Sequence, residues 1–87
     1  MATERSWTFV VSEYLDLQFM LRRSGELVIS ARSAEEALEC LTRWRPGLIV
    51  LDPGCYEADR VQEYARHRYP DVPIELCEET IGRLLAS

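Results

Sequence analysis

Residues 33–52 read SAEEALECLTRWRPGLIVLD, a helix signal followed by a strand signal and an aspartate. Ser33-Ala34-Glu35-Glu36 has the form of a capping box: the Ser33 hydroxyl accepts from the Glu36 N–H, and the Glu36 carboxylate reaches back. Ala34, Ala37, Leu38, Leu41 and Trp44 then recur at helical spacing and share one apolar face. Pro46-Gly47 closes the helix. Leu48-Ile49-Val50-Leu51 is short, continuous and apolar, the pattern of a strand buried on both faces. Asp52-Pro53-Gly54 stops it abruptly.

The same alternation extends in both directions. Thr8-Phe9-Val10-Val11 reads as a strand, Tyr14 to Arg23 as a helix stopped at Ser24-Gly25, and Leu27-Val28-Ile29 as a second strand. Beyond Asp52, a loop runs to about Glu57. Ala58 to His67 is a helix with Val61, Tyr64 and Ala65 inward, and Arg66, His67 and Arg68 suit its negative C-terminal end. Pro70-Asp71-Val72-Pro73 is a turn, Ile74-Glu75-Leu76-Cys77 a fourth strand, and Glu78 to Ala86 a short last helix. Strands alternating with helices imply βαβ units, a parallel sheet and right-handed crossovers.

The 87 residues, numbered 1–87, suffice for a single domain with one modest core. Hydrophobic residues are 47% and charged residues 29%, the balance of a folded rather than a disordered chain. A net charge of −5 argues against nucleic acid or an anionic membrane as the main partner. Every basic residue is arginine, so no mechanism can use a lysine ammonium. The 3 cysteines, Cys40, Cys55 and Cys77, lie far apart, without a zinc or disulfide pattern. The first residues carry Glu4 and Arg5 and lack an apolar leader core, and no apolar run has the length of a membrane span. The expected setting is cytoplasmic, with reduced thiols.

With these motifs in view, the stretch from Ser33 to Asp52 resembles the second helix and third strand of response-regulator receiver domains. That family shows a small residue, an acidic pair, Ala-Leu, a helix, Arg-Pro-Asp-Leu, an apolar strand and then the phospho-acceptor aspartate. Here Gly47 stands where the family has Asp after the proline. The Val10-Val11 strand and Pro70-Asp71-Val72-Pro73 extend the likeness over most of residues 8–77. The resemblance implies an α/β, flavodoxin-like three-layer sandwich with strand order 2-1-3-4 and a site at the carboxyl ends of the strands. It places Ser12, Glu13, Asp52 and Glu78 around one crevice. The fifth strand and helix of the family have no counterpart in the sequence.

By the same resemblance Asp52 is the phospho-acceptor candidate, and Glu13 with Asp52 could weakly recruit Mg²⁺; no other cofactor is implied. The rest of the chemistry is depleted. Ser12-Glu13 stands where an acidic pair belongs, Glu78 falls at or next to the switch hydroxyl, and the lysine does not exist. The loop after Asp52 is also shorter than the family's. The plainer role of Asp52 is to accept backbone N–H bonds in its own loop. Cys55 reads as a small loop residue, Cys40 and Cys77 as core fillers, and His67 as a surface histidine.

Helix 1 carries apolar residues on two sides. Tyr14, Leu17 and Leu21 would face the sheet, while Leu15, Phe19 and Met20 lie off that stripe. Without a fifth strand, strand 4 is an open edge and helix 1 lacks a neighbour. The last helix could fold back over it, or a second subunit could cover it through Leu15, Phe19, Met20, Ile81, Leu84 and Leu85. The leading expectation is a non-enzymatic receiver-like signalling or adaptor module that binds a protein partner or itself as a homodimer, without phosphate. The alternative is a working phospho-receiver that takes a phosphoryl group on Asp52 from a histidine kinase.

Overall fold

The computed structural model describes residues 7–13 and 15–86. Tyr14 and the side chain of Leu15 lie outside what is described, so their expected roles are not placed. The chain runs β1 (Trp7–Val11), α1 (Leu15–Arg23), β2 (Leu27–Ala31), α2 (Ala34–Arg43), β3 (Leu48–Leu51), α3 (Ala58–Arg68), β4 (Ile74–Leu76) and α4 (Cys77–Ala86). The strands form one sheet in the order β2-β1-β3-β4, every pairing parallel. This is the flavodoxin-like order that the sequence implied. The aligned registers Thr8↔Leu48 and Trp7↔Leu27 put like faces together across the sheet.

Strand alternation divides the apolar residues into two cores. Phe9, Val11, Ile49 and Leu51 point to one face, where Ala34, Ala37 and Leu41 of α2 and Val61 and Ala65 of α3 cover them. Val10 and Val50 point to the other, against Leu17 and Leu21 of α1 and Cys77 of α4. The helix at the centre of the sequence reading forms as expected: Ser33 is the N-cap, and the Glu36 N–H donates to its hydroxyl at 3.2 Å. Trp44 departs from its expected place on the apolar face. The helix ends at Arg43, the Trp44 backbone is extended, and the indole is turned outward. Tyr69 closes this helix end instead, its hydroxyl donating to the carbonyls of Leu41 at 2.6 Å and Trp44 at 3.1 Å.

The second face shows how a sheet without a fifth strand is covered. β4 is only Ile74–Leu76, and α4 begins at the next residue, one earlier than the Glu78 start expected from the sequence. Leu76 then serves as the residue before the helix, and its N–H donates to the Glu79 carboxylate at 3.0 Å, half of a capping box. α4 packs beside α1, so helix 1 has a neighbour after all. Ile81 and Leu84, expected at an intermolecular interface, are half-buried against this core.

A polar lock holds α4 down. Glu75 alternates onto the α4 face of β4, opposite Val50. Its carboxylate accepts from the Thr80 hydroxyl at 2.6 Å and from Arg83 at 3.3 Å. Thr80 is fully buried, so this hydroxyl has no water to fall back on. Thr80→Val, which keeps the shape and removes the donor, should cost about 1–3 kcal/mol. The measure is a lowered urea midpoint with an unchanged m-value. An unshifted midpoint would mean that Ile81 and Leu84 alone seat the helix.

Candidate functional site

The carboxyl ends of β1 and β3 lie side by side, and the chain leaves them in opposite directions, α1 leading back to β2 and α3 on to β4. Such a reversal opens a crevice at the top of the sheet. Ser12 and Glu13 follow β1, Asp52 follows β3, and Cys77 follows β4. Backbone bonds fix these ends: Asp52 N–H donates to the Val11 carbonyl at 2.9 Å, and Ser12 N–H to the Ala31 carbonyl at 3.1 Å.

The Asp52 carboxylate is turned into its own loop. Its Oδ1 accepts the Gly54 N–H at 2.8 Å, while its carbonyl accepts the Cys55 N–H at 3.1 Å. This is an Asx turn, the backbone-bonding role that the Asp-Pro-Gly sequence suggested. A Cβ at position 54 would stand 3.2 Å from Oδ1, so a larger residue there would push the carboxylate aside by a few tenths of an ångström. The loop then reaches α3 through Glu57, which takes the left-handed conformation at φ 60° and ion-pairs with Arg60 at 2.9 Å.

Ser12 is fully buried and Cys77 is buried beside it, within side-chain hydrogen-bonding reach. Burial pushes the Cys77 thiol up to about 11, and the nearby Asp52 carboxylate adds to the shift while Ser12 opposes it. Cys55 is half-buried, and its thiol is raised first by burial and then by Asp52. None of the cysteines is activated: Cys40 is raised too, by burial and then by Glu36. From Ser12 and Cys77 a groove continues between α1 and α4, lined further by Asp16, Leu17, Met20 and Ile81.

Glu78 is displaced from the position expected of it. Because α4 starts at Cys77, Glu78 is an exposed residue of the first helical turn, and Cys77 takes the inward place. Cys77 is a core filler, buried in the second core with Val10 and Val50, and it also lines the crevice. Ser12 and Asp52 do come together around Cys77, and Glu13 lies close enough to act on Cys55.

A receiver would hold Mg²⁺ here, but the donor set does not fit one. Glu13 is exposed, its neighbour is a buried serine, and one Asp52 oxygen is bonded to backbone. Among the described residues no three His, Cys, Asp or Glu side chains are grouped to hold a metal ion. On the outer surface of α1 and α4, Phe19 is 56% and Leu85 72% exposed, and Met20 is half-buried. No helix among the described residues is long and apolar enough to cross a membrane.

No protein-family model matches the sequence, and no curated protein matches it. Solved structures do. NtrX from Brucella abortus in complex with ADP matches 84% of this chain and 17% of its own, with TM-score 0.69 and 20% identity. Another NtrX structure from the same organism matches 95% of this chain and 21% of its own, with TM-score 0.71 and 19% identity. The PhyR stress response regulator matches 86% of this chain and 32% of its own, with TM-score 0.68 and 25% identity. The chain thus spans less than a third of the length of each of these proteins. What it shares with them is a receiver-domain-like fold.

Cys77 sets a pH response at this end of the molecule. Its thiol ionises at an ordinary 9.0 once unfolded but only at about 11 when folded. Above pH 9.0 the unfolded chain therefore holds fewer protons than the folded one, and stability falls as pH rises toward about 11. Urea midpoints followed across that window should decline in the wild type and decline less steeply in Cys77→Ala. Equal slopes would show that the thiol is not the group responsible.

Proposed function

We propose that this chain is a non-enzymatic receiver-like signalling or adaptor module. It works by contact with a protein partner or with a second copy of itself, and without phosphorylation. The observation that carries this reading is the Asp52 carboxylate, which is engaged by the Gly54 N–H within its own loop at 2.8 Å. Carboxylate attack on a phosphoryl group brings like charges together and needs cations to offset them. Here the chain has no lysine, a buried serine stands where the resemblance puts a metal-binding carboxylate, and Glu78 falls at or next to the position of the switch hydroxyl. The fold supports a signalling module, and the depleted site favours its working without phosphate. A cytoplasmic setting fits the unpaired cysteines.

Self-association is supported by the exposed Phe19 and Leu85 on two neighbouring helices. Apolar residues of that size gain most by burial against another such surface, and a twofold contact uses the same residues from both copies.

Two measurements test the reading. Incubated with Mg²⁺ and either acetyl phosphate or beryllofluoride, the wild type should show the same mass and the same amide spectrum as Asp52→Asn. An adduct present only with Asp52 intact would instead establish a phospho-receiver. In light scattering over a concentration series, Phe19→Glu should abolish self-association while leaving the thermal midpoint within a few degrees, as expected of an exposed site. A wild type that stays monomeric at high micromolar concentration would remove the self-association.

A further inference from the structure

The outer surface of α1 carries a charge pattern that matches itself when the helix is turned end for end. The helix has 9 residues, Leu15–Arg23, so the exposed Phe19 is its middle residue. Asp16 stands three residues before Phe19, and Arg23 four residues after it. At about 100° per residue, these two side chains lie about 60° and about 40° around the helix from Phe19, on the same side of it. The structure agrees: Asp16, Met20 and Arg23 all line the groove between α1 and α4. Asp16 and Arg23 are exposed, and neither makes an ion pair among the described residues. They do not pair with each other, because seven residues set them roughly 10 Å apart along the axis.

α4 lies beside α1 and runs in the same direction. Cys77, in its first turn, lines the upper groove with Asp16 and Leu17, while Leu84, near its end, lines the lower groove with Met20, Arg23 and Ser24. The face shared by the two helices is therefore acidic at one end, with Asp16 and Glu78, and basic at the other, with Arg22 and Arg23. The exposed apolar ring of Phe19 lies between them.

We propose that α1 packs antiparallel on α1 of a second copy, with the two Phe19 rings meeting on the twofold axis and Asp16 of each copy paired with Arg23 of the other. The proposal rests on the self-association described above and gives it a direction. A twofold axis across the helices brings opposite ends of the face together, and Asp16 and Arg23 then come level on the same side of the rings, twice by symmetry. A twofold axis along the helices would set Asp16 and Glu78 beside their own copies and the arginines beside theirs, which is repulsive. The rings supply the apolar anchor, and the charges select the orientation. A second copy of this chain offers both countercharges at the required spacing, whereas an unrelated helix would have to carry the same pattern independently.

Charge reversal in the full chain tests the arrangement, with sedimentation over a concentration series as the measure. Asp16→Arg and Arg23→Asp should each weaken the dimer by about tenfold or more, because each turns two attractions into two repulsions. The double variant Asp16→Arg/Arg23→Asp should associate within about threefold of the wild type, since the pair is restored with its signs exchanged. Within a single helix the double variant is the least favourable of the three, with a cation at the first turn and an anion at the last. Recovery by the double variant thus reports the contact between copies and not helix stability. The two single variants, each folded by circular dichroism, should also pair with one another when mixed in equal amounts. Single variants that associate like the wild type, or a double variant no tighter than the singles, overturn the antiparallel pairing and leave self-association standing. A wild type that stays monomeric removes both.

Discussion

The molecule depends on β4 passing into α4 with no residue between them. A four-stranded sheet whose faces are both apolar needs helices on both sides, and only α1 reaches the second face as a crossover. α4 has to supply the rest of the cover. It does so by starting at Cys77, which brings its first turn directly over Val10 and Val50. The Glu75–Thr80 hydrogen bond, closed on its other side by Arg83, prevents the helix from swinging off the short edge strand. A carboxylate in that position would be costly if unpaired, so the polar lock and the apolar seat specify the same arrangement.

That arrangement also decides the character of the crevice. Where α4 begins, Cys77 is forced inward and Glu78 outward, so the residue beside Ser12 is a thiol held protonated by burial. Across from it, the tight Asp52-Pro53-Gly54 turn ties one oxygen of the carboxylate to a backbone N–H. The site keeps the address of a receiver's phospho-acceptor while its polar groups are directed to holding loops and helices together. The exposed large aromatic and apolar side chains lie elsewhere, among them Phe19 and Leu85 on α1 and α4.

The charge pattern follows from the same topology. In a parallel sheet every crossover helix runs against the strands, so residues that suit helix ends accumulate at the two ends of the molecule. Acidic first turns and arginine-rich last turns, each favourable within its own helix, sum to a molecule with opposite poles.

Local signals in the sequence were sufficient for the order and kind of the elements. Ser33 with Glu36 marked α2, the unbroken run Leu48–Leu51 marked β3, and the alternation of strands with helices implied the parallel sheet. These are properties of neighbouring residues, which is why they could be read without a structure. Asp52 as a loop-holding aspartate was legible for the same reason, since its partner Gly54 is two residues away. Only the tertiary structure decided what depends on residues far apart in the chain. Ile81 and Leu84 carry the same apolar pattern whether they meet a second subunit or helix 1, and the packing of α4 beside α1 made the choice. Trp44 continued the α2 stripe in sequence, yet Tyr69, 25 residues on, closes that helix and leaves the indole outside. Asp52 was therefore placed by the sequence, but what surrounds it was settled by where the edge strand ends and the last helix begins.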